Sequence, residues 1–373
     1  MEKKLGEIFF EVNERKHPEL PVLSIQQGIG TVFRDISERR ISYDKANINA
    51  YKVIEPGDFI IHLRSFEGGL ECSKHKGISS PAYKILRSNC IDSAAFKDYF
   101  RSYNFIEGKL AAAVTGIRDG KNIDMPTFWS LKINIPSLPE QKKIAAFFTL
   151  LDRRIQKQRQ FVERLKTYKR GVIFSIFKKD NQFGIQIKKT PLSELLTEYR
   201  NRNTKNLMVC SVAVGKGVVN QIEHLGRSFA AADTSNYGKV KPGDIVYTKS
   251  PTGNFPYGIV KQSRQKQDVA VSPLYGVYTP KSFSAGTLIH NYFEQSENAN
   301  NYIRPLAQKG AKNTINITTS YFLKGSIPFL ESENDVEKFA NFFNLIDEKI
   351  QQTENFLHNL SMQKKELLHR MFI

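Results

Sequence analysis

One amphipathic segment occurs twice in this chain. The stretch FFTLLDRRIQKQRQF spans residues 147–161, and FFNLIDEKIQQTENF spans residues 342–356, 195 positions later. The similarity extends over residues 135–177 and 327–372, and both copies open with Ile-Pro-x-Leu. An internal repeat of this length indicates two related halves, each ending in the same element.

The apolar residues of each copy alternate three and four positions apart, which places one narrow apolar stripe along a long helix. Such a stripe needs a second helix to cover it, so the spacing predicts two helices that pair. Two slots of the stripe, Gln158/Thr353 and Lys169/Lys364, are polar in both copies. The predicted pairing residues are Phe148, Leu151, Ile155, Val162 and Leu165 in the first copy, and Phe343, Ile346, Ile350, Leu357 and Leu360 in the second. The apolar stripes continue through Val172 and Ile176, and through Leu367 and Met371.

The two copies differ in charge. Residues 139–180 carry 12 Lys and Arg against 4 Asp and Glu, whereas residues 331–373 carry 5 against 8. Opposite signs favour pairing of the two helices with each other over pairing of either with itself. The alternative is that each helix packs only on its own domain.

The segments that precede the helices also repeat, more faintly. Pro-Gly-Asp occurs at 56–58 and 242–244, and Ser-Pro-x-Tyr at 80–83 and 272–275. Pro-Gly-Asp before a β-branched and aromatic run indicates a tight turn that leads into a strand. We therefore predict a mixed α/β (α+β) fold of short strands, ordered domain, helix, domain, helix. The predicted bounds are 1–134, 135–180, 181–326 and 327–373.

The bulk charge favours a polyanionic partner. The net charge is +18 and the pI about 9.6, which implies a polyanionic partner, nucleic acid more often than a membrane, although a merely basic surface is the alternative. The sequence contains no run of about 18 apolar residues, so it predicts no membrane span. The N-terminus does not resemble a signal peptide. Three scattered cysteines suggest a reducing, cytoplasmic setting.

Catalytic motifs are not found in the sequence. It contains no dinucleotide fingerprint, no phosphate-binding P-loop and no Asn/Asp-Pro-Pro-aromatic stretch expected of an adenine methyltransferase. Cys72 and His75 have no second pair of metal ligands. Asp58 and Asp244 lack the acidic partner that a nuclease would place before a lysine, so we interpret them as turn residues. We predict no catalytic residue and no metal site.

This layout resembles the specificity subunit of type I restriction–modification systems. The most specific mark is IPSLPEQKKIAAFFTLLDRRI, with its Leu-Pro-Glu-Gln start and an aspartate followed, three residues on, by isoleucine, Asp152 and Ile155. The second copy keeps Asp347 and Ile350. It reads LESEN in place of the Leu-Pro-Glu-Gln start and contains three extra residues, so the start of its helix is not fixed by the motif.

The resemblance implies a function in bacterial defence. Two target recognition domains would each read one half of a split double-stranded DNA sequence. The helices would lie antiparallel with pseudo-twofold symmetry and set the unread gap. The subunit would dock methyltransferase subunits and, through them, restriction subunits. It would be non-catalytic by itself and bind no cofactor, with S-adenosylmethionine, ATP and Mg²⁺ on the partner subunits.

Two other functions stay open at this point. One is a self-sufficient nuclease or methyltransferase; the other is a stand-alone coiled-coil scaffold or regulator that binds DNA without partner enzymes. Reading bases requires Arg, Lys, Asn or Gln on loops that enter a groove, although each such residue is also explained as a solvated surface charge. The predicted DNA contacts are Arg34, Arg39, Arg40, Arg64, Lys74, Lys76, Arg118, Lys216, Lys249 and Asn254.

Overall fold

The computed structural model describes residues 1–34, 45–62, 69–116, 122–199, 201–309 and 315–371. The chain divides into two compact units. The first comprises Met1–Gln160 with Asn355–Ile373, and the second comprises Phe161–Glu354. Within the described ranges, no helix is both long and apolar enough to cross a membrane.

Residues 1–176 form short strands and short helices and end in a long helix. Its elements are β1 (Glu2–Lys4), α1 (Leu5–Ile8), β2 (Phe10–Val12), β3 (Leu23–Gln26), β4 (Gly30–Phe33), β5 (Lys52–Ile54), β6 (Phe59–His62), β7 (Leu70–Cys72), β8 (Gly77–Ser79), β9 (Tyr83–Arg87), α2 (Ser93–Phe96), α3 (Tyr103–Gly108), β10 (Val114–Thr115), β11 (Asn122–Ile123), α4 (Met125–Ser130), β12 (Lys132–Asn134) and α5 (Leu138–Ile176).

An antiparallel sheet of order β2-β9-β6-β7 organises the first unit. One face packs on an aromatic cluster in which Phe59 lies 5.5 Å from Phe9 and 5.1 Å from Phe100, measured between ring centres. Phe105 from α3 adds an edge-to-face contact with Phe100 at 4.9 Å. These rings are almost fully buried, so the apolar area that they remove from water fixes the short helices against the sheet.

Residues 187–371 have the same kinds of element and again end in a long helix. Its elements are β13 (Ile187–Pro191), α6 (Leu192–Leu195), β14 (Leu196–Glu198), β15 (Cys210–Ala213), β16 (Gly217–Asn220), α7 (Gln221–Leu225), β17 (Gly238–Val240), β18 (Ile245–Tyr247), β19 (Val260–Gln262), β20 (Val269–Val271), β21 (Gly276–Pro280), α8 (Phe283–Glu294), α9 (Ser296–Ile303), β22 (Gln308–Lys309), β23 (Ile315–Asn316), α10 (Thr319–Phe322), β24 (Ser326–Leu330) and α11 (Glu333–Met371).

Strand pairing is the same in the two units. The second sheet has the order β14-β21-β18-β19, which repeats the first strand for strand. The remaining pairs also correspond: β1-β12 with β13-β24, β3-β4 with β15-β16, β5-β8 with β17-β20, and β10-β11 with β22-β23. The faint sequence repeat therefore reflects a duplicated fold.

The two Pro-Gly-Asp motifs form equivalent turns. Gly57 and Gly243 have φ angles of +94° and +90°, which glycine adopts without strain. The carboxylates of Asp58 and Asp244 each accept a backbone N–H three residues earlier, at 2.8 Å. Asp58 also holds the guanidinium of Arg87 at 2.7 Å. Both aspartates thus stabilise turns.

The two long helices match in length and position. Each has 39 residues, and α11 begins and ends 195 positions after α5. The three extra residues of the second copy fall before the helix, where β24 is two residues longer than β12. Ser137 donates its backbone N–H and its hydroxyl to the Glu140 carboxylate, and Ser332 accepts the N–H of Asp335. A serine therefore caps each helix, with or without the Pro-Glu-Gln motif.

Candidate functional site: the paired helices and the recognition loops

In the first unit, the beginning of α5 packs against the end of α11. Nζ of Lys364 lies 2.5 Å from Oδ1 of Asp152. The guanidinium of Arg154 lies 5.4 Å from the centre of the Phe356 ring, a cation–π distance. Partner numbers fall in α11 as they rise in α5, so these segments are antiparallel.

In the second unit, the end of α5 packs against the beginning of α11 in the same sense. Nζ of Lys166 lies 2.7 Å from Oε1 of Glu354, and Nζ of Lys169 lies 2.6 Å from Oδ1 of Asp347. The antiparallel pairing of the helices is thereby confirmed within each unit. The alternative, that each helix packs only on its own domain, is wrong.

Most residues of the two apolar stripes are buried or half-buried. Those that are buried are Phe148, Ile155, Val162, Val172, Ile176, Phe343, Ile346 and Leu360. Those that are half-buried are Leu151, Leu165, Ile350, Leu357 and Leu367. Met371, in the last turn of α11, is exposed.

The ion pairs follow the predicted charge difference only in part. In the second unit the lysines come from the cationic helix α5 and the carboxylates from α11, as the net charges suggest. In the first unit the signs are reversed, since Lys364 belongs to α11 and Asp152 to α5. The reason is the repeat: each helix carries both an aspartate and, 17 residues later, a lysine.

The lysine of each Lys–Asp pair also binds a carboxylate in the domain of its own unit. In the first unit, Lys364 lies 2.7 Å from Oδ2 of Asp98, just before the 3-10 turn that precedes α3. Asp152 in turn lies 3.0 Å from Nζ of Lys97, and Asp98 accepts from Arg101 at 2.8 Å. Charges of both signs alternate through this cluster, so no group is left uncompensated.

The second unit has an equivalent cluster around Lys169, whose side chain is 8% exposed. Its ammonium lies 2.7 Å from Oε2 of Glu294, at the end of α8, and Lys261 approaches the same carboxylate at 3.8 Å. Burial by itself would raise the pKa of Glu294, but the charges led by Lys169 outweigh burial and lower that pKa to about 2. Burial raises the pKa of Asp347 despite the same lysine.

The charged residues that the two domains contribute to the clusters have opposite signs at equivalent positions. Glu71 and Arg101 form a pair at 3.4 Å in the first unit, and Lys261 and Glu294 hold the equivalent positions in the second. Sequence reasoning missed this side of the clusters. The available signal was the faint match of DYFR, which begins at Asp98, to NYFE, which begins at Asn291, together with the two polar slots in the helices.

The predicted DNA contacts of the first unit lie partly in the described ranges. Arg34 follows β4 and donates from Nε to Ser24 at 3.2 Å. Lys74 and Lys76 are exposed after β7, and Lys76 pairs with Glu55 at 2.7 Å. Four further candidates lie outside the described residues: Arg39, Arg40, Arg64 and Arg118.

The predicted contacts of the second unit are all described. Lys216 is exposed in the β15–β16 turn. Lys249 is half-buried, and burial lowers its pKa. Asn254 is exposed, and its backbone carbonyl accepts from Asn300 at 3.2 Å. A DNA-binding role for these residues stays a prediction.

The described part of the chain contains no group of three His, Cys, Asp or Glu side chains that could hold a metal ion. His75, from the Cys-x-x-His motif, instead contacts the backbone carbonyl of Thr31 at 3.0 Å and packs on the ring of Phe33, with 4.5 Å between ring centres.

A family model matches part of the chain. Residues 92–165, from the N-cap of α2 into the second half of α5, match the model of the type I restriction modification DNA specificity domain. A comparison with curated proteins finds no match. The resemblance inferred from the Leu-Pro-Glu-Gln and Asp-x-x-Ile motifs is thus confirmed.

Solved structures extend the similarity to the whole chain. The type I restriction–modification S subunit from M. genitalium is similar with a TM-score of 0.59 at 12% identity, covering 100% of this chain and 96% of that one. A chain from a structure on complex assembly and conformational transition of the type I R-M system has a TM-score of 0.54 at 14% identity, covering 99% and 96%. The HsdS subunit from Thermoanaerobacter tengcongensis gives 0.49 at 14% identity, covering 100% and 96%. The first of these shows that this chain has the fold of a type I restriction–modification S subunit.

Proposed function

We propose that this chain is the DNA-specificity subunit of a type I restriction–modification complex. Each recognition domain reads one half of a bipartite DNA target, and the paired helices set the unread gap between the halves. The observation that carries the proposal is the duplication of the whole layout, from strand pairing to the Lys–Asp pairs of the helices. Two copies of one DNA-binding domain suit a target that consists of two half-sites. The specificity-domain match at residues 92–165 supports the same conclusion.

Electrostatics support DNA as the ligand of the recognition domains. Residues 181–330 carry 18 Lys and Arg against 8 Asp and Glu, and residues 1–138 carry 20 against 17. The second domain therefore has the stronger phosphate attraction and the steeper salt dependence. Lys216 and Lys249 lie on the loops that would carry this attraction.

Two equivalent patches on the helices support docking of a partner. In the first unit the patch combines exposed apolar residues of both helices with a cation, and the second unit has the equivalent set apart from one half-buried residue. Exposed apolar side chains gathered on one surface are typical of a protein–protein interface. We propose that each patch binds one methyltransferase subunit, through which restriction subunits join. The exposed residues of the patches are Phe147, Leu150, Arg154 and Phe356 in the first unit, and Leu345, Lys349 and Phe161 in the second, where Phe342, the equivalent of Phe147, is half-buried.

On this proposal the chain recognises and positions but performs no chemistry. S-adenosylmethionine, ATP and Mg²⁺ act on the partner subunits. The setting is the cytoplasm, which agrees with cysteines that are free at positions 72, 90 and 210.

Methylome sequencing of the host with and without this gene tests the proposed function. We expect one bipartite methylated motif to disappear on deletion and to return when the gene is restored. Incubation of the purified chain alone with DNA, S-adenosylmethionine, ATP and Mg²⁺ should give neither methylation nor cleavage. Product from the lone chain would identify a self-sufficient enzyme. An unchanged methylome, with tight operator binding by the lone chain, would identify a stand-alone scaffold or regulator.

A further inference from the structure

The segment around α7 exposes several large apolar side chains. Ile222 and Leu225 lie three positions apart on this single-turn helix, and Phe229 follows it; Ile222 and Phe229 are both 58% exposed. Met208 is exposed beside them, since its Sδ lies 3.2 Å from Nδ2 of Asn220. Together these four residues form what we call the α7 surface.

Hydrogen bonds hold the α7 surface in one conformation. The Gln221 side chain accepts the backbone N–H of Phe229 at 2.8 Å and donates to Ser211 at 3.2 Å. Asn220 caps α7 by accepting the N–H of Ile222 at 2.9 Å. Gly226 ends the helix with φ +74°. Exposed apolar groups on an ordered backbone lower the free energy when a partner buries them. Because the backbone is already ordered, less conformational entropy is lost on binding.

The place of α7 in the fold points to DNA. It follows the β15–β16 hairpin just as Arg34 and the basic segment after it follow the β3–β4 hairpin. The anchoring contacts also correspond, because Gln221 binds Ser211 and Arg34 binds Ser24, each at 3.2 Å. The α7 surface therefore begins at the position where the first unit carries Arg34, a residue that we predict to contact DNA.

The charges near the α7 surface agree with an anionic partner. The guanidinium of Arg227 lies 4.5 Å from the centre of the Phe229 ring, and Lys216 is exposed in the preceding turn. Glu223 is the one acidic residue within α7. The surrounding residues 181–330 carry an excess of ten cations, so the apolar side chains lie in a cationic setting.

We propose that the α7 surface contacts thymine methyl groups in the half-site read by the second unit. This inference rests on the proposed function. Phosphates, sugars and most base-edge groups are polar, whereas the C5-methyl group of thymine is the nonpolar group that the major groove presents. An apolar side chain therefore reads A·T pairs there, while Lys216 and Arg227 attract the phosphates.

Binding to target DNA by the full chain, in complex with its methyltransferase, tests the inference. Ile222→Ser and Phe229→Ala should each weaken binding about tenfold, by the scale of one lost apolar contact, with an unchanged slope against salt concentration. Lys216→Ala should instead reduce that slope by about one contact. Leu274→Ser is the matched control, because Leu274 is 72% exposed in the same unit but remote in sequence from α7, and it should bind as wild type.

Replacing thymine by deoxyuracil in this half-site removes only the methyl groups. Wild-type binding should weaken to about the same degree, and Ile222→Ser should lose little more on the modified DNA. Three results would each overturn this inference while leaving the proposed function intact. The first is wild-type affinity in both Ile222→Ser and Phe229→Ala. The others are an equal effect of deoxyuracil on wild type and variant, and a half-site without A·T pairs. Failure of the wild-type complex to bind any bipartite site would overturn the proposed function itself.

Discussion

The ammonium nitrogen of Lys169 lies 2.6 Å from Oδ1 of Asp347 and joins the two long helices of the molecule. The equivalent pair, Lys364 and Asp152, is 2.5 Å long. Each helix carries an aspartate and, 17 positions later, a lysine. Antiparallel pairing brings each lysine to the aspartate of the other copy, whereas a shift in register would leave a nearly buried charge without its partner. The two pairs therefore fix the register of the helices.

Lys169→Met should destabilise the protein by about 2–3 kcal/mol, the usual value of hydrogen bonds to charged groups, because Asp347 and Glu294 lose their shared cation. Lys166→Met is the matched control one turn away. The Lys166 side chain is 42% exposed, so its loss should cost less than about 1 kcal/mol. Urea unfolding midpoints give the comparison, and equal effects of the two substitutions would contradict it.

Exchanging charges between Asp152 and Lys364 should not restore stability. In the double variant Asp152→Lys, Lys364→Asp, the new lysine faces Lys97 and the new aspartate faces Asp98. The corresponding exchange of Lys166 and Glu354 lacks such domain partners and should stay within about 1 kcal/mol of wild type. Thermal unfolding measures both exchanges. Wild-type stability of the Asp152→Lys, Lys364→Asp variant would show that Lys97 and Asp98 do not depend on the orientation of the ion pair.

Glu294 should make stability depend on acid pH. Its pKa is lowered to about 2 in the folded state, below the unfolded value of about 4.3. Its contribution is therefore complete above that unfolded value and is lost as pH falls toward the folded pKa. Melting temperatures measured from pH 6 to pH 3 should fall more steeply for wild type than for Glu294→Gln.

Asp347 contributes to the same comparison. Burial raises its pKa, which acts on stability in the opposite sense, and the Glu294 charge is one cause of that rise. Glu294→Gln therefore lowers the Asp347 pKa as well, and the difference between the two proteins reports the coupled pair of carboxyls. Parallel pH curves for the two proteins would mean that Lys169 does not hold the Glu294 carboxylate in its charged form.

The two exposed helix patches predict the stoichiometry of the complex. Leu150→Asp or Leu345→Asp should each leave one methyltransferase subunit bound, and the double variant should bind none, because a buried unpaired carboxylate opposes docking. Native mass spectrometry counts the subunits, with Leu274→Asp as the exposed control. Loss of both partners from a single substitution would contradict two independent patches.

Sequence reasoning reached the elements that repeat. The heptad spacing identified both helices, and Pro-Gly-Asp identified two turns, because these patterns depend on local periodicity and on the conformational freedom of Gly57 and Gly243. The start of α11 could not be read from its altered motif, since Ser332 caps the helix without the Pro-Glu-Gln signal.

Long-range contacts were beyond the sequence patterns. Asp98 lies 266 positions from Lys364, and Glu294 lies 125 positions from Lys169. No local spacing in the sequence predicts contacts over such separations. The reversed sign of the Asp152–Lys364 pair was hidden by the net charges of the helices. The α7 surface was missed because single exposed apolar residues are ordinary until the fold gathers them.

Lengthening both helices tests the central claim most directly. A seven-residue insertion preserves the heptad phase, and placing it after Gln160 and after Glu354 leaves the contacts within each compact unit intact. Each insertion adds about 10 Å of helix, equivalent to about three base pairs of DNA. Methylome sequencing should show the same two half-sites separated by a gap about three base pairs longer. An unchanged gap, or altered half-sites, would contradict the proposal that the helices set the distance between two independent readers.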